Sequence, residues 1–243
     1  MQISHQEFQQ VAAAGPRFDM YAGIHKAMRA FMADTLLAVG RMDCDYAPEL
    51  ERVSQRVLEL LAACRSHLQH ENDFLHTAIE ARAPGTTGRV GGEHAEHETA
   101  IEQLERQVAR LRAAPAAERA HEAQRLYRAL ALFMAENLEH MHYEETVHNA
   151  ALWAHYPDED LVAIHDALVA SIPPQEMMAI ARWLVPFMNP QERAMMLLDM
   201  RAKAPAPAFQ AILDTIQPHL DQREWAQLAV ALGLPAAPGL ALG

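Results

Sequence analysis

Two long segments with helical periodicity each carry the pattern His-x-x-x-Glu on an inward, apolar face, at His67/Glu71 and at His140/Glu144. Residues four apart in a helix share one face, with about 6 Å between them along the axis. In both segments that face is otherwise apolar, so the pattern places a carboxylate inside a helical core. An unpaired buried carboxylate is strongly destabilising. The spacing therefore predicts that each glutamate has a partner in the core.

The overall composition is typical of an all-helical protein. The chain has 243 residues, of which 51% are hydrophobic and only 6% are aromatic, and alanine and leucine are abundant. A chain of this length can form a packed core without disulfide bonds. Histidine is the unusual component, because the chain contains 14 of them.

Charge and hydropathy exclude several classes of partner and location. The net charge of -12 disfavours nucleic acid or an anionic membrane surface as a partner. No apolar run approaches the roughly 20 residues that span a bilayer, and the N-terminus lacks the pattern of a secretory signal. Cys44 and Cys64 are the only cysteines, and their spacing suits a reducing compartment. We therefore expect a cytoplasmic protein that binds neither nucleic acid nor membranes.

Helical periodicity and helix-breaking residues divide residues 16–151 into four long segments. We expect helices over approximately residues 19–42, 48–82, 88–113 and 116–151, and a further short helix within residues 1–14. Asp19 is the expected cap of the first long helix. Short breaks such as Ala114-Pro115 make consecutive helices antiparallel neighbours. These features predict an all-α fold built on an up-down-up-down four-helix bundle.

The pattern changes after Tyr156-Pro157, where shorter helical segments follow. Start signals at Pro174, Asn189 and Asp221 predict four or five helices that end near Leu232, followed by a frayed tail. We therefore predict two domains: the bundle in residues 1–156 and a smaller all-helical extension in residues 157–243. An apolar face on the extension would serve docking within the chain, a homodimer or another protein partner equally well.

Each of the four long segments brings a histidine to its inward stripe. The six inward candidates are His25, His67, Glu71, His94, His140 and Glu144. Four imidazoles and two carboxylates suit two metal ions bridged by carboxylates, and this donor set favours Fe, Mn or Zn over Mg or Ca. Alone, an inward histidine is more often a core residue, and a His/Glu pair four apart can be an ion pair. Their coincidence on four helices favours metal, because burying so many titratable groups without it is destabilising.

The order and helix placement of these residues resemble the hemerythrin-like family, also called the HHE cation-binding domain, over residues 18–151. The resemblance implies a four-helix bundle that holds a non-haem centre of two iron ions, with Mn or Zn as possible replacements. It also implies that His25, His67, His94 and His140 are terminal ligands and that Glu71 and Glu144 bridge the metals. At the last position, oxygen-carrying hemerythrins have aspartate in H-x-x-x-x-D, whereas this sequence has H-x-x-x-E, as bacterial relatives do.

The third segment departs from the family pattern. Oxygen carriers have H-x-x-x-H there, whereas the residue four after His94 is Glu98, and His97 follows at three. Three alternatives remain open: His97 replaces the fifth imidazole, Glu98 ligates instead, or one metal has an extra open position. His70 and His97 fall beside the inward stripe, where hydrogen bonding to ligands is at least as well supported as ligation.

Four further residues near the ligands receive weaker expectations. His76 and His148 follow the two candidate carboxylates in the chain and either line an access path or simply pack in the core. Glu145 points away from His140 on an ideal helix, so we expect it at the surface. Cys64 reads as a small buried hydrophobic residue rather than a ligand.

The predicted site has fewer ligands than two metal ions have coordination positions, so a small molecule can bind at an open one. The leading hypothesis is a cytoplasmic di-iron protein that binds or senses dioxygen or nitric oxide. One alternative is an enzyme, a di-iron oxidase or peroxidase or a consumer of nitric oxide. Another alternative is a protein that stores or delivers iron or zinc.

Overall fold

The computed structural model describes residues 17–234, and every regular element in that range is helical. This confirms the predicted all-α class for the described residues. No helix in this range is both long and apolar enough to cross a membrane. The short helix predicted within residues 1–14 and the tail after Leu234 lie outside the described residues.

Four long helical runs form the first part of the chain. They comprise α1 (Ala22–Gly40), then α2 (Ala47–His70), a π-helix π1 (Glu71–His76) and α3 (Thr77–Arg82), then α4 (Gly88–Ala113), and finally α5 (Ala116–Tyr143), a π-helix π2 (Glu144–His148) and α6 (Asn149–His155). We call the continuous runs 47–82 and 116–155 the second and fourth bundle helices. The helix boundaries agree closely with the predicted ones, except that the fourth helix continues to His155. The Asp19 carboxylate accepts hydrogen bonds from the amides of Tyr21 and Ala22 at the start of α1, although the residue in the N-cap position is Tyr21.

Contacts between the runs show that neighbours are antiparallel. His25 lies beside His67 and Asp34 pairs with Arg56, so numbering rises along α1 as it falls along α2. The same reversal relates the second helix to α4, and α4 to the fourth. In those pairs Arg65 contacts Glu105, Asn72 contacts His94, Glu93 contacts His140 and His97 contacts Phe133. The order is therefore up-down-up-down.

The apolar stripes of these helices meet in a core beside the histidines. Fully or almost fully buried side chains of this core include Leu60, Leu61, Ile101, Leu104, Leu126 and Leu130. Burial of apolar surface contributes roughly 25 cal/mol per Å². The rigid packing of these side chains fixes the rotation of each helix, and with it the direction of the polar residues one or two turns further along.

The two π-helices begin at the two glutamates of the His-x-x-x-Glu pattern, Glu71 and Glu144. A π-helix bonds residue i to residue i+5, so it inserts extra chain into a turn and redirects the side chains that follow. His76, five residues after Glu71, is buried, although an ideal α-helix would turn it away from the face of Glu71. His148, four residues after Glu144, is buried as well. π-Helices are rare in proteins, and many of those that occur lie at functional sites.

The helix after the bundle, α7 (Asp158–Ser171), packs with it. Leu161 is completely buried in a cluster with Tyr21, Leu75 and Leu152, and Asp158 binds the Arg17 side chain. Among the described residues, one compact unit holds residues 17–25 and 31–171, and a second holds residues 26–30 and 172–234. The first unit thus extends past the predicted boundary at residue 156. The division of the chain into two domains at residue 156 therefore remains a prediction.

The second unit contains four helices, α8 (Pro174–Leu184), α9 (Pro190–Lys203), α10 (Ala206–Ile216) and α11 (Gln222–Leu232), with short 3-10 turns at Val185–Phe187 and Gln217–His219. Capping boxes begin α9 at Asn189 and α11 at Asp221, at the start signals in the sequence. The buried core includes Val185, Leu197, Phe209, Ile212 and Ile216, with Met178, Met196 and Met200 packed around it. Methionine here fills irregular gaps between helices.

A buried arginine ties this second unit together. Arg193 is 2% exposed and donates hydrogen bonds to the carbonyls of Val185, Pro186 and Met188 and to the Glu224 carboxylate. Its guanidinium thus satisfies the carbonyl groups of the turn between α8 and α9 and links that turn to α11.

We expect Arg193→Ala to destabilise the second unit by about 2–4 kcal/mol, because it leaves several buried acceptors without a donor. The exposed Arg223→Ala on α11 is the matched control and should change stability by less than about 0.5 kcal/mol. Denaturant unfolding followed by tryptophan fluorescence reports on this unit through Trp183 and Trp225. Equal midpoints for the two variants would contradict the structural role of Arg193.

Candidate metal centre

The structure brings all six predicted residues together inside the bundle. Two overlapping groups of possible ligand atoms form, and in each group the atoms lie within 4.8 Å of one another. One group consists of His25, His67, Glu71 and Glu144, and the other of Glu71, His94, His140 and Glu144. Because both groups contain Glu71 and Glu144, the two carboxylates lie at the centre and the imidazoles surround them.

The imidazoles direct their Nε2 atoms toward the carboxylates. His25 Nε2 lies 3.6 Å from Glu71 and 3.5 Å from Glu144. On the same side, His67 Nε2 is 3.2 Å from Glu71. On the other side, His94 Nε2 is 3.5 Å from Glu71, and His140 Nε2 is 3.4 Å from Glu144.

The centre is buried, and six of its polar atoms lack a hydrogen-bond partner. Five of the six residues are buried, and the His67 side chain is only 11% exposed. His25 Nε2, His67 Nε2 and all four oxygens of Glu71 and Glu144 have no hydrogen-bond partner. Each such group costs about 1–3 kcal/mol when it is buried unpaired. A cation at the centre would satisfy them together, so the residues present fit a metal site.

Three of the imidazoles form hydrogen bonds through Nδ1, on the side of the ring away from the centre. Nδ1 of His25 lies 3.0 Å from Glu145, that of His94 lies 2.9 Å from Asn72, and that of His140 lies 2.8 Å from Glu93. When Nδ1–H donates to these oxygens, the lone pair of Nε2 faces the centre. This is the arrangement that metal-binding histidines use to fix ring orientation and tautomer.

The expectation that Glu145 lies at the surface is wrong. Its side chain is 23% exposed and its carboxylate contacts His25. Glu145 is the second residue of π2, so the ideal helical angle on which the expectation relied does not apply. Glu93 and Asn72 also support ligands, yet no spacing in the sequence marks them, because each acts across a helix interface.

Burial sets the protonation of the metal-free site. Burial, reinforced by the neighbouring charge of Glu71, raises the pKa of Glu144 well above its ordinary value. Burial also lowers the pKa of His67 well below normal, that of His94 to about 2 and that of His140 to about 4. At neutral pH these three imidazoles are therefore uncharged, which is the form that binds metal.

His25 is the exception among the imidazoles. Burial opposes its positive charge, but the hydrogen bond with Glu145 and the nearby Glu71 carboxylate outweigh that effect and raise its pKa. The same burial raises the pKa of Glu71, against the lowering effect of His25. In the metal-free protein, His25 and the carboxylates thus share protons that a bound cation would displace.

The three additional candidates lie outside the two ligand groups. His97 is buried against Phe133 and the His140 ring, whose centroid is 4.8 Å away, but it belongs to neither group. Glu98 is not brought to the site: its side chain is 43% exposed and pairs with Arg65, because α4 turns it toward solvent. His70 is half-buried and its Nδ1 lies 3.4 Å from the Ser66 hydroxyl.

Cys64 belongs to the apolar surroundings of the site. It is a buried free cysteine, and burial raises the pKa of its thiol to about 12. It is absent from the groups of potential ligands found among residues 17–234. These properties fit the expected small hydrophobic side chain and provide no thiolate.

Comparison with known families adds independent support. The family model described as the hemerythrin HHE cation binding domain matches residues 18–152, more than half of the chain. The chain belongs to the hemerythrin HHE family. The match ends within α6, so it includes all six residues of the centre. No curated protein and no solved structure gives a significant match. Family membership and the clustered His and Glu side chains together indicate a metal-cation site in this HHE bundle.

The raised pKa of the buried Glu144 carboxyl group can be tested on metal-free protein. Because the pKa of Glu144 is raised in the folded state, the parent protein loses stability as the pH rises above the unfolded-state pKa of about 4.3. The loss is at most about 1.4 kcal/mol per pH unit and continues until the pH reaches the folded-state pKa. Glu144→Gln removes this proton but keeps the shape. We therefore expect the variant to gain stability relative to the parent between about pH 5 and pH 8 in urea unfolding experiments.

The exposed Glu136→Gln on α5 provides the matched control for this experiment, and its difference from the parent should stay flat with pH. A constant difference between Glu144→Gln and the parent over the same range would contradict a raised pKa of Glu144.

Proposed function

We propose that this protein is a non-haem di-iron protein that binds or senses dioxygen or nitric oxide inside its bundle. The observation that carries the proposal is the pair of ligand groups that share Glu71 and Glu144. Each group would offer two imidazoles and two carboxylates to one ion, and the shared carboxylates would join the two ions. The set of four imidazoles and two carboxylates suits iron, with Mn or Zn as possible replacements.

The number of ligands supports binding of a small molecule. Iron commonly accepts six ligands, and each group supplies four residues, so positions remain for an exogenous ligand. Two irons in such positions would supply reversible electron transfer and open sites for a diatomic molecule. Buried Leu68, Leu75 and Met141 on the same helices limit the access of water to this region.

Burial of the ligands disfavours the storage and delivery alternative. Five of the six side chains are almost inaccessible to solvent, so an external chelator has little direct access to a bound ion. A storage protein requires ready exchange, whereas a binding or sensing protein retains its metal. Loss of most of the bound iron to a mild chelator within minutes would favour storage.

A contact between a buried tyrosine and a buried histidine favours the enzymatic alternative, an oxidase or peroxidase, as a second candidate function. The buried Tyr21 hydroxyl lies 3.3 Å from His148 Nδ1, close to Glu144. A hydroxyl and an imidazole in contact can transfer a proton to a reduced oxygen species. An enzyme of this kind would consume peroxide or nitric oxide over many turnovers when a reductant is supplied.

Metal analysis and optical spectroscopy test the proposal together. Protein loaded with iron and reduced without oxygen should contain about two irons per chain in its central site, as in other di-iron bundles. It should also show charge-transfer bands that appear and disappear reversibly with oxygen or nitric oxide. His67→Ala and His140→Ala should each lower central iron content and abolish the reversible bands. His121→Ala, an exposed histidine on α5, serves as control and should match the parent.

Two results would contradict the proposal. Full iron loading of His67→Ala and His140→Ala would remove the assignment of ligands. Irreversible oxidation to a fixed spectrum, with turnover of peroxide, would replace the binding function by the enzymatic one.

A further inference from the structure

A third group of potential ligands lies beside the central pair. It consists of His76, Glu144 and His148, whose ligand atoms lie within 4.8 Å of one another. His76 ends π1 and His148 ends π2, so both π-helices contribute one imidazole to the group. The two rings meet edge to face, with their centroids 5.3 Å apart.

The Nε2 atoms and carboxylate oxygens of this group are buried and unpaired. His76 is 8% exposed and His148 is fully buried. Neither Nε2 atom has a hydrogen-bond partner, and neither do the Glu144 oxygens. If these histidines served only for packing, apolar side chains would fill the space without the cost of two unpaired nitrogens. The orphaned nitrogens therefore point to a ligand.

Neighbouring residues orient both rings. Tyr21 Oη lies 3.3 Å from His148 Nδ1, so an Nδ1–H group can donate to it and leave the Nε2 lone pair available to a cation. The His76 ring stacks on His94, with centroids 4.9 Å apart and planes 14° apart. Burial lowers the pKa of His76 and lowers that of His148 to about 4, so both rings are neutral at pH 7.

The third group is distinct from the two central ones. It shares only Glu144 with them, and neither His76 nor His148 joins the groups that contain His25, His67, His94 or His140. An ion held by His76 and His148 thus occupies its own position. Two imidazoles and one carboxylate form a donor set that suits divalent ions of borderline softness and leaves positions open.

We propose that His76, His148 and Glu144 form a third metal position, which binds a divalent transition ion such as Zn²⁺ or Co²⁺ beside the central pair. This inference rests on the proposed function only through the shared Glu144. With three protein ligands, one of which is shared, the third position binds more weakly than the central ones.

Equilibrium dialysis of metal-free full-length protein against Zn²⁺ tests the proposal without redox chemistry. The parent should bind about three ions per chain, the last in a separate and weaker class. His76→Gln and His148→Gln should each lose only the weaker class and bind about two. His121→Gln, an exposed histidine, should bind as the parent does. Circular dichroism must show unchanged helical content in each variant, and the two variants in parallel cover the failure of either one to fold.

Several outcomes would overturn the third position. The parent could bind only two ions, or a His76→Gln or His148→Gln variant could retain all three. A third such outcome is a folded variant that loses tightly bound ions as well as the weakly bound one. In the last case the altered histidine belongs to the central pair. The double variant His67→Ala/His140→Ala separates this proposal from the proposed function. This variant should lose tight binding and retain the weaker class. Retained tight binding would contradict the assignment of His67 and His140 as central ligands but would leave the third position unaffected.

Discussion

The structure depends on one electrostatic problem, the burial of Glu71 and Glu144 side by side inside a helical bundle. Burial, reinforced by the neighbouring charge of Glu71, raises the pKa of Glu144, and neither carboxylate has a hydrogen-bond donor that would compensate. The surrounding imidazoles are mostly neutral and offer lone pairs rather than protons. A positive ion is the partner that satisfies acceptors of both kinds, and the remaining features of the bundle serve to hold these acceptors in place.

Support for the centre comes in successive layers. Apolar packing fixes the rotation of the four long helices, so that each contributes at least one imidazole. Glu93, Asn72 and Glu145 then fix ring orientation through Nδ1. The two π-helices begin at the carboxylates themselves and end at His76 and His148, which are both buried. Beyond them, α7 covers apolar side chains of π1 and α6 through Leu161.

Much of this was predictable from the sequence, because period and spacing are local properties. Apolar repeats in steps of three and four gave the long helices to within a few residues, and His-x-x-x-Glu twice on inward stripes gave the central carboxylates. Contacts across helices were not predictable in this way. Nothing near Glu93 or Asn72 in the chain shows that each supports a histidine on another helix. The π-helices were missed because a constant α-helical angle was assumed, and this also misplaced Glu145. Docking of the extension was one of the expected alternatives, but Tyr156-Pro157 marks a break in the helix and not an end to the core, so the sequence did not show that α7 packs into the same apolar cluster.

X-ray absorption spectroscopy at the iron edge of iron-loaded protein tests the central claim most directly, because it measures the surroundings of the metal itself. If Glu71 and Glu144 bridge two ions, the spectrum should contain nitrogen and oxygen neighbours and an iron–iron distance of about 3.5–4 Å, as in other two-metal sites. Glu144→Gln should remove the iron–iron feature. Iron with light-atom neighbours and no second iron in the fully loaded parent would contradict a shared centre and would leave the two carboxylates without the role proposed for them.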